Sequence, residues 1–78
     1  MFDINELLDL IDLLYEYNIP PSINDIYNEL FFSKEKIYGM LNVLKEYKII
    51  KLSNSMIEII CTYEKAVLIL ESLNTFSN

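Results

Sequence analysis

The stretch from residue 22 to residue 51 constrains the fold of this chain more than any other. SINDIYNEL is a short amphipathic segment opened by a serine, and after a three-residue break KEKIYGMLNVLKEY carries the same kind of pattern. KIIKLSNSMIEIIC follows directly, with two β-prone runs around Ser53-Asn54-Ser55. Apolar residues at helical spacing in the first two segments, then β-branched runs about a polar turn, predict helix, tight turn, helix and hairpin.

Flanking segments complete the layout. A first helix is expected over 3–18, capped by Asp3 with Glu6 as its capping-box partner, and ended by Asn18 and Pro20-Pro21. Its apolar arc holds Ile4, Leu7, Leu8, Leu10, Ile11, Leu14, Tyr15 and Tyr17, with Leu13 stranded among acids. The second helix is expected over 22–31, with Ser22 as cap, Asp25 three residues on, and Ile23, Ile26, Tyr27 and Leu30 facing in. Ser33 caps a third helix over 33–47, whose inward stripe is Ile37, Met40, Leu41, Leu44 and Tyr47. The hairpin is expected over 49–61 and a last helix over 63–74, capped by Thr62, with the tail 75–78 fraying. The expected class is α+β, mainly α, in a single domain over 1–78.

Length and composition narrow the function. A chain of 78 residues has a core that gives only about 3–5 kcal/mol. No apolar run approaches the roughly 20 residues of a membrane span, and MFDINELLDL starts acidic where a secretory signal starts basic, so a cytoplasmic protein is expected. One cysteine and no histidine argue against a disulfide, a zinc site or a His-based catalytic pair. No glycine-rich phosphate loop is present, and no pair of acids has a nucleophile beside it. No enzyme, metal or cofactor is expected. Cys61 reads as a small buried hydrophobe, and the six tyrosines as mostly core. The series Asp3, Glu6, Asp9, Asp12, Glu16 reads as a solvated helix face.

Ile23, Ile26 and Leu30, then Ser33, Ile37, Tyr38, Leu41 and Leu44, then Ile49-Ile50 follow a line that resembles the winged helix-turn-helix regulators of archaea, bacteria and their viruses. The similarity covers about half the chain directly. It implies a three-helix core with a short β-hairpin wing and a C-terminal helix, and a transcription regulator, virus- or plasmid-encoded at this size, that puts its third helix into the major groove of double-stranded DNA. Carried over by position, the DNA-facing residues would be Ser33, Lys34, Lys36, Tyr38, Asn42, Lys45 and Lys51. Asn42 would pair with adenine, Tyr38 would meet a phosphate or sugar, and Ser33 would donate to a phosphate. The chain departs from the family at two places. Phe31-Phe32 stand in the turn where glycine is usual, and Lys48 stands where glycine commonly ends the third helix. Each costs about 1 kcal/mol if φ is positive. Winged helices also serve as protein-docking modules, so the alternative is an adaptor or acidic inhibitor, docking on a host protein rather than on DNA.

Charge divides the chain. Residues 1–32 hold seven acids and no base, whereas 33–51 hold five of the six lysines against Glu35 and Glu46. Basic charge thus concentrates where a reading helix and first wing strand would want it, within a net charge of −6. Only about three phosphates per protomer would be neutralised, through Lys34, Lys45 and one of Lys36 or Lys51, so two protomers are expected to act together. The apolar arcs of the first and last helices exceed what one small core covers. A homodimer is therefore expected through Leu10, Leu13, Tyr17, Leu68, Ile69 and Leu73.

Overall fold

A computed structural model describes residues 3–76, with side chains described through Leu73; Ser77 and Asn78 of the expected tail lie outside the described residues. In chain order the elements are α1 (Ile4–Glu16), α2 (Ile23–Glu29), α3 (Lys34–Glu46), β1 (Ile50–Ser53), β2 (Met56–Ile59) and α4 (Tyr63–Phe76). This is a small, mainly helical α+β arrangement, each element within two residues of its expected bounds.

Local chemistry sets most helix ends. The Asn5 N–H donates to the Asp3 carboxylate at 2.8 Å, which caps α1. Glu6 does not complete a capping box there, because its carboxylate is drawn away to Lys36. Tyr17 is extended at the other end, three residues before Pro20. At α2 the box forms as expected: the Asp25 N–H donates to Ser22 Oγ at 3.2 Å and the Ser22 N–H donates to Asp25 Oδ2 at 2.9 Å. The Ser33 and Thr62 hydroxyls accept from the N–H groups of Lys36 and Lys65, capping α3 and α4. Each cap satisfies a donor that the first helical turn leaves without a backbone partner, worth about 1 kcal/mol.

The end of α3 uses the backbone instead. The Lys48 N–H donates to the Lys45 carbonyl and the Ile49 N–H to the Leu44 carbonyl, while Lys48 stands at φ 61°. That pairing is a Schellman motif, and Leu44 and Ile49, the two positions it brings together, are both buried in the core. The left-handed conformation expected at Lys48 is present. At Phe31-Phe32 it is absent, since the left-handed non-glycine residues among those described are Lys48, Asn54 and Ser55. The α2–α3 break turns instead through Leu30, whose ψ of 142° extends the chain before Ser33 starts the next helix.

The hairpin pairs Ile50 with Ile59, Lys51 with Glu58, Leu52 with Ile57 and Ser53 with Met56. Positive φ at both Asn54 and Ser55 is the signature of a type I′ turn, whose twist suits the strands it joins. A contact not legible in the pattern ties this hairpin to the α1–α2 connection: the Ile57 N–H donates to the Pro21 carbonyl at 2.8 Å, and Ser22 bridges to Met56.

The core draws on every element. Leu7, Leu10, Ile11 and Leu14 of α1 meet Ile26, then Ile37, Met40, Leu41 and Leu44 of α3, then Ile49, Ile50 and Ile57, then Ala66 and Leu70 of α4. The described residues include no buried polar or charged side chain. Helices α1 and α4 pack against each other, and Tyr15 meets Tyr63 edge to face at 5.3 Å between ring centres. The Tyr15 hydroxyl donates to the Cys61 carbonyl and Tyr63 donates to Asp12 at 2.6 Å. Burial first, and then Cys61, push the Tyr15 hydroxyl up to about 12, while the hydrogen bond to Asp12 raises Tyr63. Tyr47, expected on the inward stripe of α3, is instead exposed at its C-terminal cap.

Two expectations about the first and last helices change here. Leu10 is completely enclosed by the chain's own core, so it has no surface to offer a second copy. Leu13, Tyr17, Ile69 and Leu73 are partly buried against that same core, because α1–α4 packing absorbs much of both arcs. Leu68 differs from these, at 65% exposed.

Candidate nucleic-acid interface

The outward side of α3 is built by subtraction. With Ile37, Met40, Leu41 and Leu44 fully buried, Lys34, Glu35, Tyr38, Asn42, Lys45 and Glu46 are left on solvent. At 3.6 residues per turn, Lys34, Tyr38 and Lys45 form one edge of that face. Glu35 and Glu46 lie roughly 100° further round, beside Gly39, with Asn42 between the two edges. The face therefore carries a basic edge and an acidic one.

Each expected DNA-facing residue has a definite place. Ser33 holds the N-terminal cap, its Oγ 3.2 Å from the Lys36 backbone nitrogen. Lys34 sits over the Tyr27 ring at 5.0 Å from its centre, an exposed cation–π contact that leaves the ammonium in water. Tyr38 is half exposed, and Asn42 and Lys45 are exposed. Lys51 lies on the outer face of β1 and pairs across the hairpin with Glu58 at 3.4 Å. That pair is largely solvated and holds its lysine weakly.

Lys36 is brought elsewhere, which corrects its expected role. Its ammonium makes an ion pair with Glu6 of α1 at 2.5 Å and covers the Phe32 ring at 4.6 Å. The pair is only about one-third exposed, so Lys36 fastens α3 to α1 rather than presenting charge outward. Of Lys36 and Lys51, the two alternatives for a third outward cation, Lys51 is the more exposed.

Two neighbours of this face lie outside the residues that the resemblance assigns to DNA. Phe31, in the α2–α3 turn, is fully exposed, while Phe32 beside it turns under Lys36. Lys48 projects into solvent at the α3–β1 corner. The available signal was the same for both: a bulky or charged residue where a turn favours glycine. An open depression of about 230 Å³ lies at the hairpin tip, lined by Pro20, Ser53, Asn54, Met56 and Glu58. Among the described residues no cluster of three or more Cys, Asp or Glu side chains is arranged to hold a metal ion, and no helix is long and apolar enough to cross a membrane.

No family model, curated protein or solved structure matches this chain.

Proposed function

We propose that the chain is a winged helix-turn-helix regulator that binds double-stranded DNA, with α3 as its reading helix and the β1–β2 hairpin as its wing. One observation carries the reading: a serine-capped helix turns four apolar residues wholly into the core and leaves Lys34, Tyr38, Asn42 and Lys45 together on its exposed side. Lys34 and Lys45 stand about 16 Å apart along the helix axis, enough to reach phosphates on both walls of a major groove roughly 12 Å wide. Between them Asn42 has the donor and acceptor that match adenine, and Tyr38 and Ser33 have hydroxyls for the backbone.

The cations per protomer are few, so the regulator acts as a homodimer, with exposed Leu68 of α4 at the contact. Sedimentation at tens of micromolar should give a dimer, and Leu68→Glu a monomer. A monomer for both ends the homodimer part of this reading.

Glu35 and Glu46 on the same exposed side, with fully exposed Phe31 close by in sequence, favour a second reading: a module that docks a basic protein surface. An electrophoretic shift screen with random duplex DNA at low and moderate salt separates the two. The regulator shifts DNA in a salt-sensitive way, and Asn42→Ala relaxes discrimination at one base pair by about 1–3 kcal/mol. No shift even at low salt points to the docking module.

A further inference from the structure

Lys48 holds a conformation that its side chain does nothing to stabilise. Its φ of 61° puts Cβ close to a carbonyl oxygen, a clash that glycine avoids, and the position just past a helix end is where glycine is commonest. The other two left-handed residues, Asn54 and Ser55, are set by the type I′ turn that joins the strands. At Lys48 the hydrogen bonds of the motif come from the backbone, and its apolar closure comes from Leu44 and Ile49. The side chain is exposed and forms none of the ion pairs found among the described residues. Lys45, in the last turn of α3, already supplies a cation to the negative end of the helix dipole. A left-handed lysine that strains the fold and gives it no side-chain contact is a candidate for a role outside the fold.

Its neighbours indicate that role. Lys45 precedes it by three residues and is exposed; Lys51 follows by three, on the solvent side of β1. The Cα atoms of Lys48 and Lys51 lie within about 10 Å of each other, so the three lysines flank the α3–β1 corner. Lys51 is held only by its exposed pair with Glu58. We infer that Lys48 is a phosphate-binding residue, and that Lys45, Lys48 and Lys51 form a corner that grips the sugar-phosphate backbone of duplex DNA beside the groove that α3 enters. This rests on the DNA-binding reading and adds to it a contact outside the outward stripe of α3.

Lys48→Gly sets stability and binding against each other. In the full chain it should raise Tm by a few degrees, because the left-handed cost is relieved. Titrated by fluorescence anisotropy with a random-sequence duplex, the same variant should bind about tenfold more weakly at 0.1 M salt, with a salt slope smaller by about one unit. Lys48→Gln should lose the same unit of slope without the gain in Tm. Lys48→Arg should keep both affinity and slope. A Lys48→Gly protein that is more stable yet binds with unchanged affinity and slope overturns this inference and leaves the DNA reading standing. Wild-type protein that binds no duplex at low salt overturns both.

Discussion

The acidic half of the molecule and its basic segment treat their charged groups in opposite ways. In α1 and α2 several acids are used inside the fold: Asp3 caps α1, Asp25 closes the box at Ser22, Glu6 holds Lys36 and Asp12 accepts from Tyr63. From α3 to β1 the pattern reverses. Lys34 has only a ring beneath it, Lys51 only a solvated pair, and Lys48 keeps a left-handed backbone without giving its side chain to the fold. Carboxylates that cap and pair are building the domain, while cations left on solvent are free to meet something else. Lys36 marks the boundary, because it belongs by sequence to the basic segment and by contact to the acidic half.

That division can be broken or sharpened by substitution. The largest effect is expected in the shared core. Leu10→Ala removes a fully enclosed side chain and should cost about 2–5 kcal/mol, comparable with the whole stability of so small a domain, so chemical denaturation should find the variant largely unfolded. A mild effect would mean that Leu10 is not enclosed as described. Next, Ser22→Ala deletes the capping box of α2 and should lower stability by about 1 kcal/mol without changing the salt slope of DNA binding. A change in that slope would blur the boundary between the halves.

Ser55→Gly gives a gain of similar or smaller size. It relieves a φ of 66° in the hairpin turn and should add about 0.5–1 kcal/mol, with DNA affinity unchanged. It is the control for Lys48→Gly, since both relax the backbone but one alone removes a charge. The mildest change is alkaline. Tyr15 is raised from 10.0 to about 12, so its neutral hydroxyl is favoured by the folded state. The resulting stability is fully present below pH 10 and is lost as the pH rises through about 12. Tyr15→Phe should flatten the fall of Tm over that interval; an equally steep fall would assign it to other groups.

Much of this architecture was legible because helical periodicity and caps are local. Ser22 with Asp25, the stripe from Ile37 to Leu44, and the hairpin around Asn54 all follow from residues a few positions apart. What periodicity states is which side of a helix is apolar, and not what that side meets. Leu10 lay on the arc assigned to a partner, yet the partner it found is the core of its own chain. Glu6 stood at the right spacing for a capping box, but Lys36, thirty residues away, offered its carboxylate an ion pair at 2.5 Å. The same rule about turns applies to Phe31-Phe32 and to Lys48. Only Lys48 takes the left-handed conformation, because a Schellman closure demands it and the extended backbone at Leu30 does not. The outward stripe of α3 was legible for the same local reason, except for Lys36, whose place depended on α1.

If α3 is the reading helix proposed above, its outward-facing lysines meet DNA phosphates while Lys36 does not. The most direct test is the salt dependence of duplex binding for wild type, the Lys34→Glu/Lys45→Glu double variant and Lys36→Gln. The slope of log affinity against log salt should fall in magnitude by about two units for the double variant and stay at the wild-type value for Lys36→Gln. An unchanged slope for the double variant, or a full unit lost with Lys36→Gln, would contradict the account.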